Sequence, residues 1–272
     1  MNLMNGKYNI DYENRGKILI EIKLRNLDPL HVGVSDSGVK VNETDLLCIK
    51  HNDGTPFIPG SSFRGFLRSL AERFSHLFEN NNSVGGIIMD VEHKFPPDKK
   101  DKNVCDLEEV LDEVAGMPEE KVENYIISQN KICDLCLLFG ANHYGSPLRV
   151  SDFNIYGEDK PTFEHRTHIK IDIESDTTES HALFYVEAVE PGIEFVGKMT
   201  LEKRGHKHQK IIITYLLLLL EYLRKNEIYL GGLKSRGYGR VKCTDIEITD
   251  YSLKDEILGI KKTSQKIKIN GG

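Results

Sequence analysis

Residues Lys17 to Leu27, KILIEIKLRNL, alternate apolar and polar side chains at a period of two, which predicts a first strand with one buried face. After a loop from His31 to Thr44, Asn52-Asp53-Gly54 signals a turn. Phe63, Phe66, Leu67, Leu70 and Phe74 then fall at helical spacing, with Ser61 or Ser62 as the expected N-cap. Further on, the pattern predicts a strand over Leu148 to Ile155 and a long hairpin over Phe163 to Phe184 with a polar tip at Glu174 to Ser180. Gly192 to Glu202 reads as a strand, Gln209 to Lys225 as a helix and Arg240 to Thr249 as a last strand. Lys261 to Gly272 is polar and is expected to be mobile. Sparse helices among several strands predict an α+β fold, an antiparallel sheet covered on one face.

Asn80 to Asn130 breaks this pattern. Asn-Asn-Asn, Gly-Gly, Pro-Pro, lysine clusters and an acidic stretch mark an insertion in one domain over 1–272, with one helix expected near Asp106 to Val114. A chain of 272 residues, 39% hydrophobic and 29% charged, can build a sizeable core. The formal charge of −6 looks wrong for a nucleic-acid binder, but Asp98 to Glu123 holds ten acids against four lysines. That stretch alone accounts for −6, so the rest is formally neutral and local patches decide. Met1 to Gly16 is polar, so no secretory signal is expected. Ile211 to Leu220 is too short to span a bilayer, so no membrane partner is expected. Five cysteines then point to a reduced, cytoplasmic setting.

Two distant segments mix glycine, serine and arginine. Ile58 to Arg68 carries Gly60, Ser61, Ser62, Arg64 and Arg68; residues 231–240 carry four glycines with Lys234, Ser235, Arg236 and Gly237. Backbone N–H groups at a helix start or tight turn bind anionic oxygens, and guanidinium groups add charge-assisted bonds. Each segment is either a plain turn or a phosphate contact, and two of them suit a nucleic-acid backbone better than a single nucleotide. Arg64 and Arg68, spaced four apart, could both address phosphates. His165, Arg166, His168 and Lys170 make the hairpin a basic ribbon or a solvated strand face.

Cys133 and Cys136 form a C-x-x-C knuckle, and with Cys105 and His93 they supply four candidate zinc ligands, although two small buried side chains would read the same way. An insertion without its own core gains from a metal staple. Cys48 and Cys243 belong to the core by their apolar context, whereas His206 and His208 lie in a basic loop and are expected to be solvated. Asp36 and Asp45, in the first loop, are turn or capping groups, or they hold a divalent cation or orient an attacking nucleophile.

The chain resembles the RAMP superfamily, and in particular the repeated backbone subunit of type III CRISPR effector complexes. The resemblance runs roughly from Lys17 to Thr249, through His31-Val-Gly33, Asp45, Pro56 to Ser62, Cys136-Leu-Leu-Phe-Gly140, Leu148-Arg-Val-Ser-Asp152, Thr167 to Asp172, Phe184-Tyr-Val-Glu187 and Gly231 to Gly239, in that order. It implies a ferredoxin-like, RRM-like core, head-to-tail stacking of copies on a guide RNA beside other complex subunits, and a thumb hairpin over 163–185 that wedges into the guide–target duplex. It also implies that Asp45, or failing it Asp36, cleaves the complementary target RNA with magnesium or another divalent cation. Where the family carries a polar Asn-Pro and an arginine after that aspartate, this chain has Leu46-Leu47-Cys48-Ile49, with Lys50 in the arginine's place. A zinc-bearing insertion occurs in some relatives.

Three functions follow. The first is a guide-binding backbone subunit that is also a metal-dependent endoribonuclease. The second is the same scaffold without catalysis. The third is a guide-processing endoribonuclease using His31 or His51 as acid or base, a class that usually carries two similar domains, whereas no internal repeat is visible here.

Overall fold

The computed structural model describes residues 15–33, 46–79, 110–129, 132–157, 161–171, 178–206, 208–253 and 262–270, together with Ile10, Tyr12, Cys105 and Leu107. Strand β1 (Gly16–Asn26) sits at the centre of an antiparallel sheet. Its inward side chains Ile18, Ile20, Ile22 and Leu24 are all essentially sealed from solvent. Burying each contributes about 1.5–3 kcal/mol, which is why the period-2 pattern dictates the strand and its register.

Helix α1 (Gly60–Glu79) follows β1, and the short helices α2 (Leu111–Val114), α3 (Glu119–Ser128) and α4 (Asp134–Phe139) come next. Strands β2 (Leu148–Val150) and β3 (Asn154–Ile155) both pair with β6 (Glu194–Lys203). Between them in sequence, β4 (Phe163–Ile171) and β5 (Thr178–Val189) pair as a two-stranded ribbon apart from that sheet, with isolated bridges from Val189 to Leu30 and from Val186 to Leu46. Helix α5 (Gln209–Lys225) leads through β7 (Ile228–Tyr229) to β8 (Arg240–Leu253) and β9 (Lys262–Asn270). The sheet order is β2-β6-β1-β8-β7, with β9 on β8. The fold is α+β with an antiparallel sheet, as the periodicity predicts.

Helix α5 carries a broad apolar face, including Ile212, Leu216, Leu219, Leu220 and Leu223, which packs against β8 and α4. The Tyr215 hydroxyl donates to the Ala71 carbonyl at 2.6 Å and ties α5 to α1. Lys203 and Asp250 form a buried ion pair at 2.6 Å between β6 and β8. Among the described residues no helix is long and apolar enough to cross a membrane.

Within the insertion Cys105, Leu107, Val110, Ile126 and Ile127 are buried in the main hydrophobic core. Two expectations need correction. Lys262–Asn270 is strand β9, antiparallel to β8, rather than a free polar tail. Ser61 and Ser62 do not cap α1, because the helix starts at Gly60 and the Gly60 N–H donates to the Asp152 carboxylate at 2.8 Å. A residue 92 positions away does the capping.

Candidate nucleic-acid interface

The two glycine-rich segments meet different fates. Ser61 and Ser62 are exposed on the first turn of α1. Arg64 and Arg68 turn inward: Arg64 Nη2 donates to the Phe139 carbonyl, and Arg68 Nη1 donates to the Gly140 carbonyl at 3.1 Å. Arg68 also pairs with Glu72 at 3.0 Å, and its Nη2 lies 3.9 Å from Cys136 Sγ. These arginines satisfy the carbonyls left open at the C-terminus of α4, where positive charge is favoured. Both guanidinium groups are half-buried and already bonded within the protein, which leaves less of each for a phosphate.

The second segment points outward. Gly231 has φ +77°, and a Cβ there would lie 2.2 Å from the His31 carbonyl oxygen. Gly239 has φ +84°, and a Cβ there would lie 2.1 Å from the Leu230 oxygen. Only glycine lets the chain fold back so tightly. Gly232 donates to the His31 carbonyl at 2.9 Å and Gly239 to the Pro29 carbonyl at 2.9 Å, so both ends of the loop are pinned to the residues after β1. A 3-10 turn over Lys234–Arg236, flanked by Leu233 and Gly237 in the left-handed region, then displays Lys234, Ser235, Arg236 and Gly237 to solvent.

The β4–β5 ribbon docks on this loop through a small second core of Val186, Ala188 and the fully buried Tyr238, with Phe184 and Leu233 packed against it. His168 Nε2 bonds the Tyr238 hydroxyl at 2.8 Å. The Arg166 guanidinium lies 5.4 Å from the Tyr238 ring centre, and that of Arg236 lies 5.6 Å from the Phe184 ring centre. Burial, then the charges of Arg236 and Arg166, hold the His168 imidazole below its ordinary range. Arg166 also pairs with Glu164 at 2.7 Å. The pleat splits the expected ribbon: Arg166 and His168 register with Val186 and Phe184, whereas His165 registers with Glu187 on the opposite face. Lys170 lies in β4, and its side chain falls outside the described residues.

At the base of the ribbon Lys50 Nζ binds Glu187 Oε1 at 2.6 Å and lies 3.9 Å from the Phe163 ring centre. The other Glu187 oxygen accepts from the Cys48 N–H at 2.9 Å. His31 is buried, with Nδ1 2.8 Å from the Glu187 carbonyl oxygen. Burial raises the Cys48 thiol to about 11, so it stays protonated and is no nucleophile. His51 stacks on Phe57 at 4.1 Å and lies 2.8 Å from Asn154 Oδ1. Asp36 and Asp45 lie outside the described residues, which resume at Leu46. Leu46 is tied to β5: its N–H donates to Tyr185 at 2.8 Å and its carbonyl accepts from Glu187 at 2.9 Å.

Cys105, Cys133 and Cys136 are buried, with their sulfurs within 4.8 Å of one another. Hydrogen bonds to Cys105 and Cys136, then burial, push the Cys133 thiol up. A cation among three packed thiols reverses that tendency, and three sulfurs are a donor set that zinc accepts. The group could therefore hold a metal ion; His93 lies outside the described residues. His208 is not solvated as expected: its Nδ1 pairs with Asp134, inside the C-x-x-C, at 2.7 Å. His206 is buried, and burial pushes its imidazole down.

Sequence reasoning missed Tyr238, Glu187 and the Asp134–His208 pair. A buried tyrosine inside a glycine run was the available signal for the first; the others join residues too far apart in the chain to be seen as pairs.

A model of the RAMP superfamily matches residues 23–242. The chain is 24% identical over 245 residues to a protein of Methanocaldococcus jannaschii named CRISPR system Cms endoribonuclease Csm3, an alignment covering 86% of this chain and 81% of that relative.

Proposed function

Because the chain belongs to the RAMP superfamily, we propose that it is a guide-RNA-binding backbone subunit of a type III CRISPR effector complex that also cleaves complementary target RNA. The relative's name supports the class and the reaction. The observation that carries the reading is the docking of the β4–β5 ribbon on the glycine-rich loop through Tyr238, which brings Arg166, His168 and Arg236 together beside the exposed Lys234 and Ser235. A surface that gathers the cations Arg166, Lys234 and Arg236 suits a phosphate backbone.

In this reading Lys234, Ser235, Arg236 and Gly237 hold the guide backbone, with Ser61 and Ser62 along the same strand. The ribbon is the thumb, and His165, Arg166, His168 and Lys170 meet the guide–target duplex. Other copies of the chain stack head to tail, beside further subunits, in the cytoplasm. The connection β1-α1-β2-β6-α5-β8 with spatial order β2-β6-β1-β8, all antiparallel, supports a ferredoxin-like core. Asp45, with Asp36 as the second choice, is the carboxylate for cleavage. A divalent cation held there would stabilise charge developing on the scissile phosphate. Zinc on Cys105, Cys133 and Cys136, completed by His93, would staple the acidic insertion to the core.

The non-cleaving scaffold is favoured by one observation: Lys50, in the place of the family's arginine, is committed to Glu187. A guide-processing role for His31 gains no support, since that ring is buried under the glycine-rich loop. The test is assembly on a guide RNA, then incubation with complementary RNA and magnesium, for the unaltered chain and Asp45→Ala. Regularly spaced cuts that vanish in Asp45→Ala are expected. Assembly with no cuts in either protein would reduce the function to scaffold.

A further inference from the structure

A pocket of about 420 Å³ opens beside the glycine-rich loop, lined by Phe66, Leu70 and Arg73 of α1, Tyr222 of α5, Tyr229 of β7, and Lys234 with Ser235. Its volume falls within the range of pockets that enclose a small organic group. The floor is apolar, since Leu70 and Ile228 are buried. The walls are aromatic: Tyr222 is braced edge-on by Phe74 at 5.1 Å, and Tyr229 stands 45% exposed at the mouth. The rim is cationic. Arg73 and Lys234 are exposed, and among the described residues neither pairs with a carboxylate. The single acid of the lining, Glu227, is taken up by Arg240 at 3.4 Å.

We propose that this pocket receives one unpaired nucleotide of the RNA held at the glycine-rich loop, a proposal that rests on the RNA-binding reading above. The base enters between the Phe66, Tyr222 and Tyr229 rings, and its phosphate meets Arg73 and Lys234 at the rim. Stacking against aromatic faces is tolerant of sequence and suits a splayed-out base. Charge selects this occupant. An apolar peptide side chain would leave two cations at the rim unanswered, and a free inorganic anion would leave three rings uncovered. Lys234 and Ser235 belong to both the pocket and the loop, so a strand crossing the loop can drop a base into the pocket without a break.

The test uses the full chain with single-stranded RNA carrying 4-thiouridine. Binding is read by fluorescence anisotropy across a salt titration, and cross-links are mapped by mass spectrometry. Tyr229→Leu keeps an apolar side chain but removes the ring. Arg73→Gln removes one rim charge, and Arg236→Gln is the loop reference. Cross-links to the Tyr222–Tyr229 peptide are expected. Tyr229→Leu should weaken binding by about tenfold at unchanged salt slope, as the loss of one stacked base does. Arg73→Gln should weaken it and lower the slope by about 0.7. If Arg236→Gln weakens binding while Tyr229→Leu and Arg73→Gln match the unaltered chain, the pocket proposal falls and the RNA-binding reading stands. If the unaltered chain binds no RNA, both fall. Self-association that Tyr229→Leu abolishes, with RNA binding unchanged, would assign the pocket to a second copy of the chain and overturn the proposal.

Discussion

The start of α1 and the loop over residues 231–240 share a vocabulary of glycine, serine and arginine but use it in opposite directions. At α1 the arginines face inward, where they donate to the carbonyls of Phe139 and Gly140 at the end of a short helix. In the loop, Lys234 and Arg236 face outward, because two left-handed residues turn a 3-10 segment away from the body while Tyr238 anchors it. Composition selects the residue types suited to anions. The local supply of buried acceptors decides whether those residues hold the protein or a ligand. A cation near an open helix C-terminus is captured by it, and a cation on a tight exposed turn is not.

Four results would break or sharpen that contrast. The largest effect belongs to the inward side. Cys136→Ser should cost several kcal/mol and remove bound zinc, read by urea unfolding and by elemental analysis of purified protein; an unaltered chain without metal would strip the cysteines of that role. Next, Arg64→Ala or Arg68→Ala should destabilise by about 1–3 kcal/mol each, since a buried carbonyl loses a charged donor. RNA affinity of the folded fraction should hold, and a selective loss of affinity would reverse the assignment. On the outward side, Arg236→Ala should shift stability by less than about 0.5 kcal/mol. Its mark should be weaker RNA binding with a shallower dependence on salt.

The smallest effect is a pH dependence. His168 has an ordinary value of 6.5, and the folded protein holds it lower, by burial and then by Arg236 and Arg166. Just below 6.5 the unfolded chain binds the extra proton and the folded chain does not. Stability therefore falls as pH drops through that window. Burial moves His206 in the same direction. Thermal melts from pH 7.5 to 5.5 should show the decline, and His168→Gln should flatten part of it; an unchanged slope would remove His168 from the account.

Regular patterns were legible and long-range partners were not. Strand β1 and helix α5 were readable because one face of each is continuously apolar, and the α5 bounds match those expected from spacing. Strand β9 was hidden because only Ile267 and Ile269 mark its alternation amid lysines and small polar residues. The insertion's place in the core was hidden by the acids around Leu107, Val110, Ile126 and Ile127. The family was legible from short motifs in order. The roles of Arg64 and Arg68 were not, since their acceptors lie 75 and 72 residues further along the chain. Nor were those of His208 and Glu187, whose partners Asp134 and Lys50 lie 74 and 137 residues away.

Hydrogen exchange of the chain with and without guide RNA tests the contrast most directly. The account predicts new protection in the peptide spanning Gly231–Gly239 and along β4, with a smaller gain at Ser61 and Ser62 and all of α4 unchanged. Protection centred on Gly60–Arg68 and α4, with the loop still exchanging freely, would contradict it.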